Sequence, residues 1–136
     1  MQYIDSNVFI YSVTEPESDK GIAAKNTLIK VAKGETGGIT SVLTWDEVVW
    51  IIKKAFNMEL AILEGRRFLE FPNVKIVTVD ANILYSAQKL MEAYKIAPRD
   101  SIHAATAITR NVTEFISDDS DLDIVKELKR IPLSRR

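Results

Sequence analysis

Tyr3-Ile4-Asp5-Ser6-Asn7-Val8-Phe9 is the stretch on which the fold turns. Gln2 to Ile4 is short and apolar-rich and ends on an aspartate, so it reads as a first strand running out to the rim of a sheet. Asn7 to Val13 then reads as a short helix, with Ser6 placed to cap it and Pro16 to break it. A strand that hands a carboxylate directly to a helix opens a β–α unit, and the rest of the chain continues the alternation.

Glu17 to Lys33 predicts a second helix carrying Ile22, Ala23, Leu28, Ile29 and Val31, closed by Gly34. Gly37-Gly38 lead into a short strand at Ile39-Thr40. Ser41 to Phe56 is the clearest amphipathic helix, with Val42, Trp45, Val48, Val49 and Ile52 at helical spacing. Glu59 to Phe71 continues as another helix, ended by Pro72-Asn73, and Val74 to Val79 alternates as a strand does. Ala81 to Tyr94 predicts a helix on Ile83, Leu84, Ala87, Leu90 and Met91. Pro98 stops the chain ahead of a helix beginning near Asp100. Glu114 to Ser117 predicts a fourth strand, Leu122 to Lys129 a last helix, and Ile131 to Leu133 an edge strand. Strands alternating with helices imply an α/β fold with a mainly parallel sheet, in one domain over residues 1–136. Sites in such sheets lie beyond the carboxyl ends of the strands. Asp5 and Ser117-Asp118-Asp119 are therefore expected at the same rim.

Composition narrows the function classes. With 136 residues and no cysteine, the chain can bury about two thirds of its unfolded surface without disulfides, and the lack of cysteine suits a reducing compartment. No apolar run approaches the length of a membrane span, and Met1 to Tyr11 lack the basic start of a signal peptide. The expectation is a cytoplasmic protein with no membrane attachment. A net charge of −1 argues against holding nucleic acid by bulk positive charge. An RNA ligand would need local basic patches, metal ions or a partner chain.

Four acids are each delivered by an apolar segment: Asp5 by the first strand, Glu47 between Trp45 and Val48-Val49, Asp100 at the head of Ser101-Ile102-His103-Ala104-Ala105, and Asp119 after Phe115-Ile116. Two carboxylates about 4 Å apart repel by roughly 4 kcal/mol at an effective dielectric near 20, so a cluster needs a counter-charge. A hard divalent cation such as Mg²⁺ or Mn²⁺ supplies it, and can also activate water and stabilise charge on a phosphoryl group. Simpler readings stand beside this one. Asp5 and Asp100 suit helix caps. Asp46 competes with Glu47, and Asp118, Asp121 and Asp123 crowd the same loop as Asp119.

Tyr3-Ile4-Asp5-Ser6-Asn7-Val8-Phe9, Glu47-Val48-Val49-Trp50, Arg99-Asp100-Ser101-Ile102-His103-Ala104-Ala105 and Ile116-Ser117-Asp118-Asp119-Ser120-Asp121-Leu122 follow one another in that order. Together they resemble the PIN-domain family, and within it the VapC-type toxin ribonucleases, over nearly the whole chain. The resemblance implies a Rossmann-like α/β/α sandwich around a parallel sheet and a Mg²⁺- or Mn²⁺-dependent endoribonuclease. By the same resemblance Asp5, Glu47 and Asp100 match the first three catalytic acids and Asp119 the fourth, with Asp121 the near alternative. Asp5, Asp100 and Asp119 would hold the metal, with Glu47 binding it or positioning the attacking water. Asn7 matches a position that orients the first aspartate. The family also implies a homodimer and a small antitoxin partner. The helix from Val42 to Phe56 offers either a dimer face or core.

His103, three residues after Asp100, can share its helix face. A ligand or general-base role is open to it, and a supporting role behind the acids, shared with Asn7 and Ser117, is the preferred reading. Arg99, Arg66 and Arg67, with Lys53 and Lys54, are the candidate phosphate contacts, although helix cations commonly serve only as solvated faces. Arg135-Arg136 reads as a loose tail. The expected chemistry is in-line attack by an activated water, leaving a 5′-phosphate and a 3′-hydroxyl. The competing function is a catalytically silent PIN-like module that binds RNA or a protein. A phosphotransfer receiver or phosphatase fits less well. The strand ending at Thr78-Val79 carries no lysine, and Asp5-Ser6-Asn7 lacks a second aspartate.

Overall fold

The structure is a computed structural model and describes residues 1–133. Its strands are β1 (Gln2–Ile4), β2 (Gly38–Ser41), β3 (Val74–Val77), β4 (Glu114–Ile116) and β5 (Lys129–Ile131). Its helices are α1 (Ser6–Thr14), α2 (Asp19–Ala32), α3 (Val42–Ala55), α4 (Met58–Leu69), α5 (Ala81–Tyr94) and α6 (Pro98–Thr109), with a 3-10 turn at Ser120–Ile124. The five strands are all parallel, in the spatial order β3-β2-β1-β4-β5. The parallel α/β sheet that the alternation implied and the α/β/α sandwich that the resemblance implied are both observed.

Strand order decides where a site can lie. From β1 the chain steps to β2 and β3, then returns to the other side of β1 for β4 and β5. Right-handed crossovers running in opposite directions put their helices on opposite faces. Ile4, Val8, Ala24, Val48, Ile52 and Phe68 accordingly form one core layer with α1 to α4. Tyr3, Ile83, Ala87, Leu90, Ala104 and Phe115 form the other, under α5 and α6. Tyr3 and Ile4 enter opposite layers because successive strand residues alternate. At the reversal between β1 and β4 the connections diverge and leave a crevice at the carboxyl ends.

Aromatic packing fixes both layers. Tyr3 stacks on Phe115 with ring centroids 4.7 Å apart, and Phe9 meets Phe68 edge-on at 5.0 Å. Each such pair contributes about 0.5–1.5 kcal/mol beyond the area it buries. In the α3–α4 hairpin, Gly65 sets the helix separation. A Cβ there would stand 2.9 Å from Val49 Cγ2 and 3.1 Å from Trp45 Nε1.

Several element ends differ from the sequence expectation, each for a physical reason. Asp5, not Ser6, caps α1, accepting from the Ser6 N–H. Pro98 begins α6 rather than preceding it, since its fixed φ and missing N–H suit a first turn. That leaves Asp100 inside the first turn rather than at the cap. β3 ends at Val77, where its pairing with Ser41 ends, so Thr78-Val79 fall outside it. The expected helix from Leu122 to Lys129 does not form. β5 needs extended chain from Lys129 to pair with Glu114, Phe115 and Ile116, so only the 3-10 turn fits before it. The edge strand accordingly lies two residues earlier than Ile131 to Leu133. Arg135-Arg136 lie outside the described residues.

α3 serves two environments. Thr44, Val48 and Ile52 are buried, whereas Val42, Trp45 and Trp50 are exposed, as is the following Phe56. Among the described residues no helix is long and apolar enough to cross a membrane.

Candidate active site

Asp5 leaves the end of β1 and is buried, with a relative exposure of 4%. A carboxylate so placed needs donors, and the crevice supplies them. Asp5 Oδ1 accepts from the Ser6 N–H at 2.8 Å, and Oδ2 accepts from Ser117 Oγ at 2.7 Å. Asn7 Nδ2 bridges the two, 3.1 Å from Ser117 Oγ and 3.4 Å from Asp5 Oδ2. Ser117 follows β4 and is itself fully buried. Its hydroxyl also accepts from the Asp119 N–H at 3.0 Å, so one oxygen ties the ends of β1 and β4 together. Asp5 and the loop after β4 thus share one rim, as the parallel sheet requires.

Asp119 caps the 3-10 turn, its Oδ1 accepting from the Asp121 N–H at 3.0 Å. Asp100, Asp119 and Asp121 each offer a carboxylate oxygen, and those oxygens lie within 4.8 Å of one another. Asp100 is half-buried, and its carboxyl is pushed up to about 7. Burial is the main cause, followed by the charges of Asp119 and Asp5 and a hydrogen bond to Asp119. The three distant acids Asp5, Asp100 and Asp119 therefore act on one another electrostatically.

Glu47, rather than exposed Asp46, turns inward from α3. Its Oε1 sits 2.5 Å from His103 Nε2. His103 is buried on α6, its Nε2 also 3.8 Å from Asp5 Oδ1. Burial alone would lower the imidazole's pKa, but the charges of Asp5 and Glu47 and the bond to Glu47 outweigh it and raise the value. The other ring nitrogen, Nδ1, lies 2.6 Å from the Tyr3 hydroxyl. Both ring nitrogens are thus engaged within the protein.

The neighbouring acids are drawn elsewhere. Asp118 pairs with Lys20 of α2 at 2.7 Å. Asp123 accepts both Nε and Nη2 of Arg130, at 2.5 and 3.0 Å, and this holds its carboxyl below the usual range. Arg130 also donates to the Ser117 carbonyl at 3.0 Å, strapping the loop from 117 to 123 onto β5. Sequence reasoning passed over Tyr3, Lys20 and Arg130. The available signal for Tyr3 was chemical: a tyrosine inside a buried strand needs a partner for its hydroxyl.

The basic candidates divide. Arg99 is exposed in the first turn of α6, beside Asp100. Arg66 and Arg67 pair with Glu70, just past the end of α4, and with Glu64 on it, and they line an apolar groove with Phe9, Leu28, Phe68 and Phe71. Lys53 and Lys54 end α3, where Lys54 lies over the Trp50 ring.

The donor set fits a hard divalent ion. It is made of carboxylate oxygens, gathered closely enough to help raise one of their own pKa values, with both nitrogens of the histidine already bonded within the protein. Such a crowd gains from a cation in its midst.

Comparison with known proteins agrees with the fold. Residues 2–128 match the family model described as PIN domain. No curated protein matches the sequence. Among solved structures, VapBC2 from Rickettsia felis, bound to a DNA fragment from its promoter, superposes with a TM-score of 0.76 at 17% identity, covering 97% of this chain and 98% of that one. Mycobacterium tuberculosis VapC20, a Sarcin-Ricin loop cleaving toxin, gives 0.75 at 11% identity, covering 93% and 95%. A toxin–antitoxin complex from Klebsiella pneumoniae gives 0.69 at 20% identity, covering 95% and 96%.

Proposed function

Because the chain belongs to the PIN domain family, we propose that it is a Mg²⁺- or Mn²⁺-dependent endoribonuclease, the toxin of a toxin–antitoxin pair, acting in the cytoplasm. The observation that carries this reading is the approach of Asp100, Asp119 and Asp121 within 4.8 Å, with Asp5 close enough to raise the Asp100 pKa. Asp5, Asp100 and Asp119 would hold the ion, with Asp121 and Glu47 beside them. A bound divalent ion supplies Lewis acidity towards water and phosphoryl oxygens.

The chain's own groups do the rest. Ser117 and Asn7 keep Asp5 in one orientation, and Arg130 keeps the loop bearing Asp119 in place. Glu47 has one oxygen committed to His103, which leaves the other to accept a proton from the attacking water. Arg99 is exposed beside Asp100, where it can meet a phosphate of the RNA. Attack in line then leaves a 5′-phosphate and a 3′-hydroxyl, with no histidine pair and no 2′-hydroxyl nucleophile.

Two partner surfaces go with this reading. An apolar trough on α3 and α4 is lined by Trp45, Val49, Met58, Ile62 and Leu69, and the relatives of known structure include toxin–antitoxin complexes. A small antitoxin would cover that trough and the groove carrying Arg66 and Arg67. A homodimer would use the exposed side chains of α3 and α5, among them Trp50, Leu84 and Tyr85.

The test is cleavage of RNA by the purified chain with Mn²⁺ or Mg²⁺, with and without EDTA, followed by analysis of the product ends. Cleavage should require the ion and vanish in Asp5→Asn. A 2′,3′-cyclic phosphate product, or full activity in that variant, would overturn the reading. Failure to bind Mn²⁺ would favour a silent binding module.

A further inference from the structure

Behind Glu47 runs a line of buried polar groups that the ribonuclease reading does not itself require. We propose that Tyr3 is a positioning residue for Glu47, acting through His103: the Tyr3 hydroxyl fixes the imidazole, and the imidazole fixes the carboxylate. The inference rests on the function proposed above, since it concerns the carboxylate assigned to the attacking water.

The geometry carries it. Tyr3 Oη and His103 Nδ1 are 2.6 Å apart, and His103 Nε2 and Glu47 Oε1 are 2.5 Å apart. Tyr3 is 0% exposed and His103 2%. A carboxylate has no proton to give, so Nε2–H donates to Glu47 and Nδ1 is left to the hydroxyl. The three residues come from different layers. Tyr3 stands in β1 and faces the layer under α5 and α6; His103 is on α6; Glu47 is on α3, across the sheet. The ring of Tyr3 is already held by stacking on Phe115, so packing does not need the oxygen. Burying that oxygen costs free energy unless it is paired; beside Thr40 and the Ser41 backbone, its partner at 2.6 Å is the imidazole that grips Glu47. An imidazole without the Nδ1 contact can turn about its Cβ–Cγ bond and carry Glu47 with it. Outer partners of this kind set the orientation of the groups that touch a metal site.

Tyr3→Phe removes the oxygen and keeps the ring. In cleavage assays it should lower kcat by about tenfold to a hundredfold and leave KM for RNA unchanged. In a Glu47→Gln background it should cost nothing further, because residues acting through one group are not additive. A kcat equal to the parent's, or an undiminished loss in the Glu47→Gln background, would overturn the proposal. A second readout does not need activity. His103 is the only histidine in the chain, so isotope-labelled histidine gives one imidazole pattern by NMR. Tyr3→Phe should shift the Nε2–H signal that faces Glu47, although the lost hydroxyl faces the other nitrogen. An Nε2–H signal that stays in place would overturn the proposal, even in a protein that proves not to cut RNA. A shifted signal in an inactive protein would uphold the positioning link and sink only the ribonuclease reading.

Discussion

Ser117 Oγ donates to Asp5 Oδ2 at 2.7 Å, across 112 positions of sequence. The same hydroxyl accepts from Asn7 Nδ2 and from the Asp119 N–H. Ser117→Ala would leave a buried carboxylate oxygen short of the nearer of its two donors, and two N–H groups short of an acceptor. The expected cost is about 1–3 kcal/mol of folding stability, read from urea unfolding, with weaker Mn²⁺ binding by calorimetry. A variant as stable as the parent would show that this hydroxyl is not a hub.

The acids of the loop after β4 should separate by their partners. Asp119 brings a carboxylate oxygen within 4.8 Å of one on Asp100, while Asp118 is held by Lys20. Asp119→Asn should weaken Mn²⁺ binding by about tenfold or more, and the asparagine can still cap the 3-10 turn. Asp118→Asn should leave Mn²⁺ affinity close to the parent's. Equal losses in the two variants would contradict the division.

The pH dependence follows from Asp100, whose carboxyl is raised from 3.8 to about 7. A carboxyl raised on folding stabilises the native state fully below its unfolded value. That contribution is lost as pH rises through the folded value. His103 is also raised, and its contribution fades in the same direction. Metal-stripped protein should therefore melt at a lower temperature at about pH 8 than at about pH 5, and Asp100→Asn should flatten that slope. Mn²⁺ competes with the Asp100 proton, so its affinity should rise over the same interval, with proton release measurable by calorimetry. A melting temperature that climbs with pH in the absence of metal would contradict this.

Gly65→Ala should push α3 from α4, because its new methyl meets Val49 Cγ2 at 2.9 Å. Overpacking of this kind costs about 1–3 kcal/mol. Thermal melting should register the loss while Mn²⁺ binding is retained, since Asp5, Asp100 and Asp119 come from β1, α6 and the loop after β4 and not from this hairpin. Loss of Mn²⁺ binding in a folded variant would mean that the two regions are coupled.

The parts of this molecule that were legible in its sequence are those in which local pattern and tertiary demand agree. Ala81 to Tyr94 has helical periodicity, a capping Asp80 and no competing role, and α5 has those limits. The stretch from Leu122 to Lys129 has helical spacing too, but the register of β5 against β4 claims its last residue and outweighs propensity. Among the site residues, Asp5, Glu47, Asp100 and Asp119 could be singled out because apolar neighbours imply burial of the carboxylate that follows. Tyr3 could not be singled out that way. A phenol ring in an apolar strand looks like core, and its hydroxyl acquires meaning only once α6 brings His103 within 2.6 Å. Arg66 and Arg67 are a different case: their charge is visible in the sequence, but their pairing with Glu70 and Glu64 comes from the helical spacing of exposed side chains.

The order β3-β2-β1-β4-β5 has a consequence for synthesis at the ribosome. β4 occupies a central slot beside β1, yet it is the fourth strand to be made. Until residue 119 has cleared the exit tunnel, a growing chain carries Asp5, Glu47 and Asp100 but no completed acid cluster and no neighbour for the open edge of β1. Pairing of β4 with β1 is therefore also the event that gathers the acids, because the same step that closes the middle of the sheet carries Ser117 to Asp5.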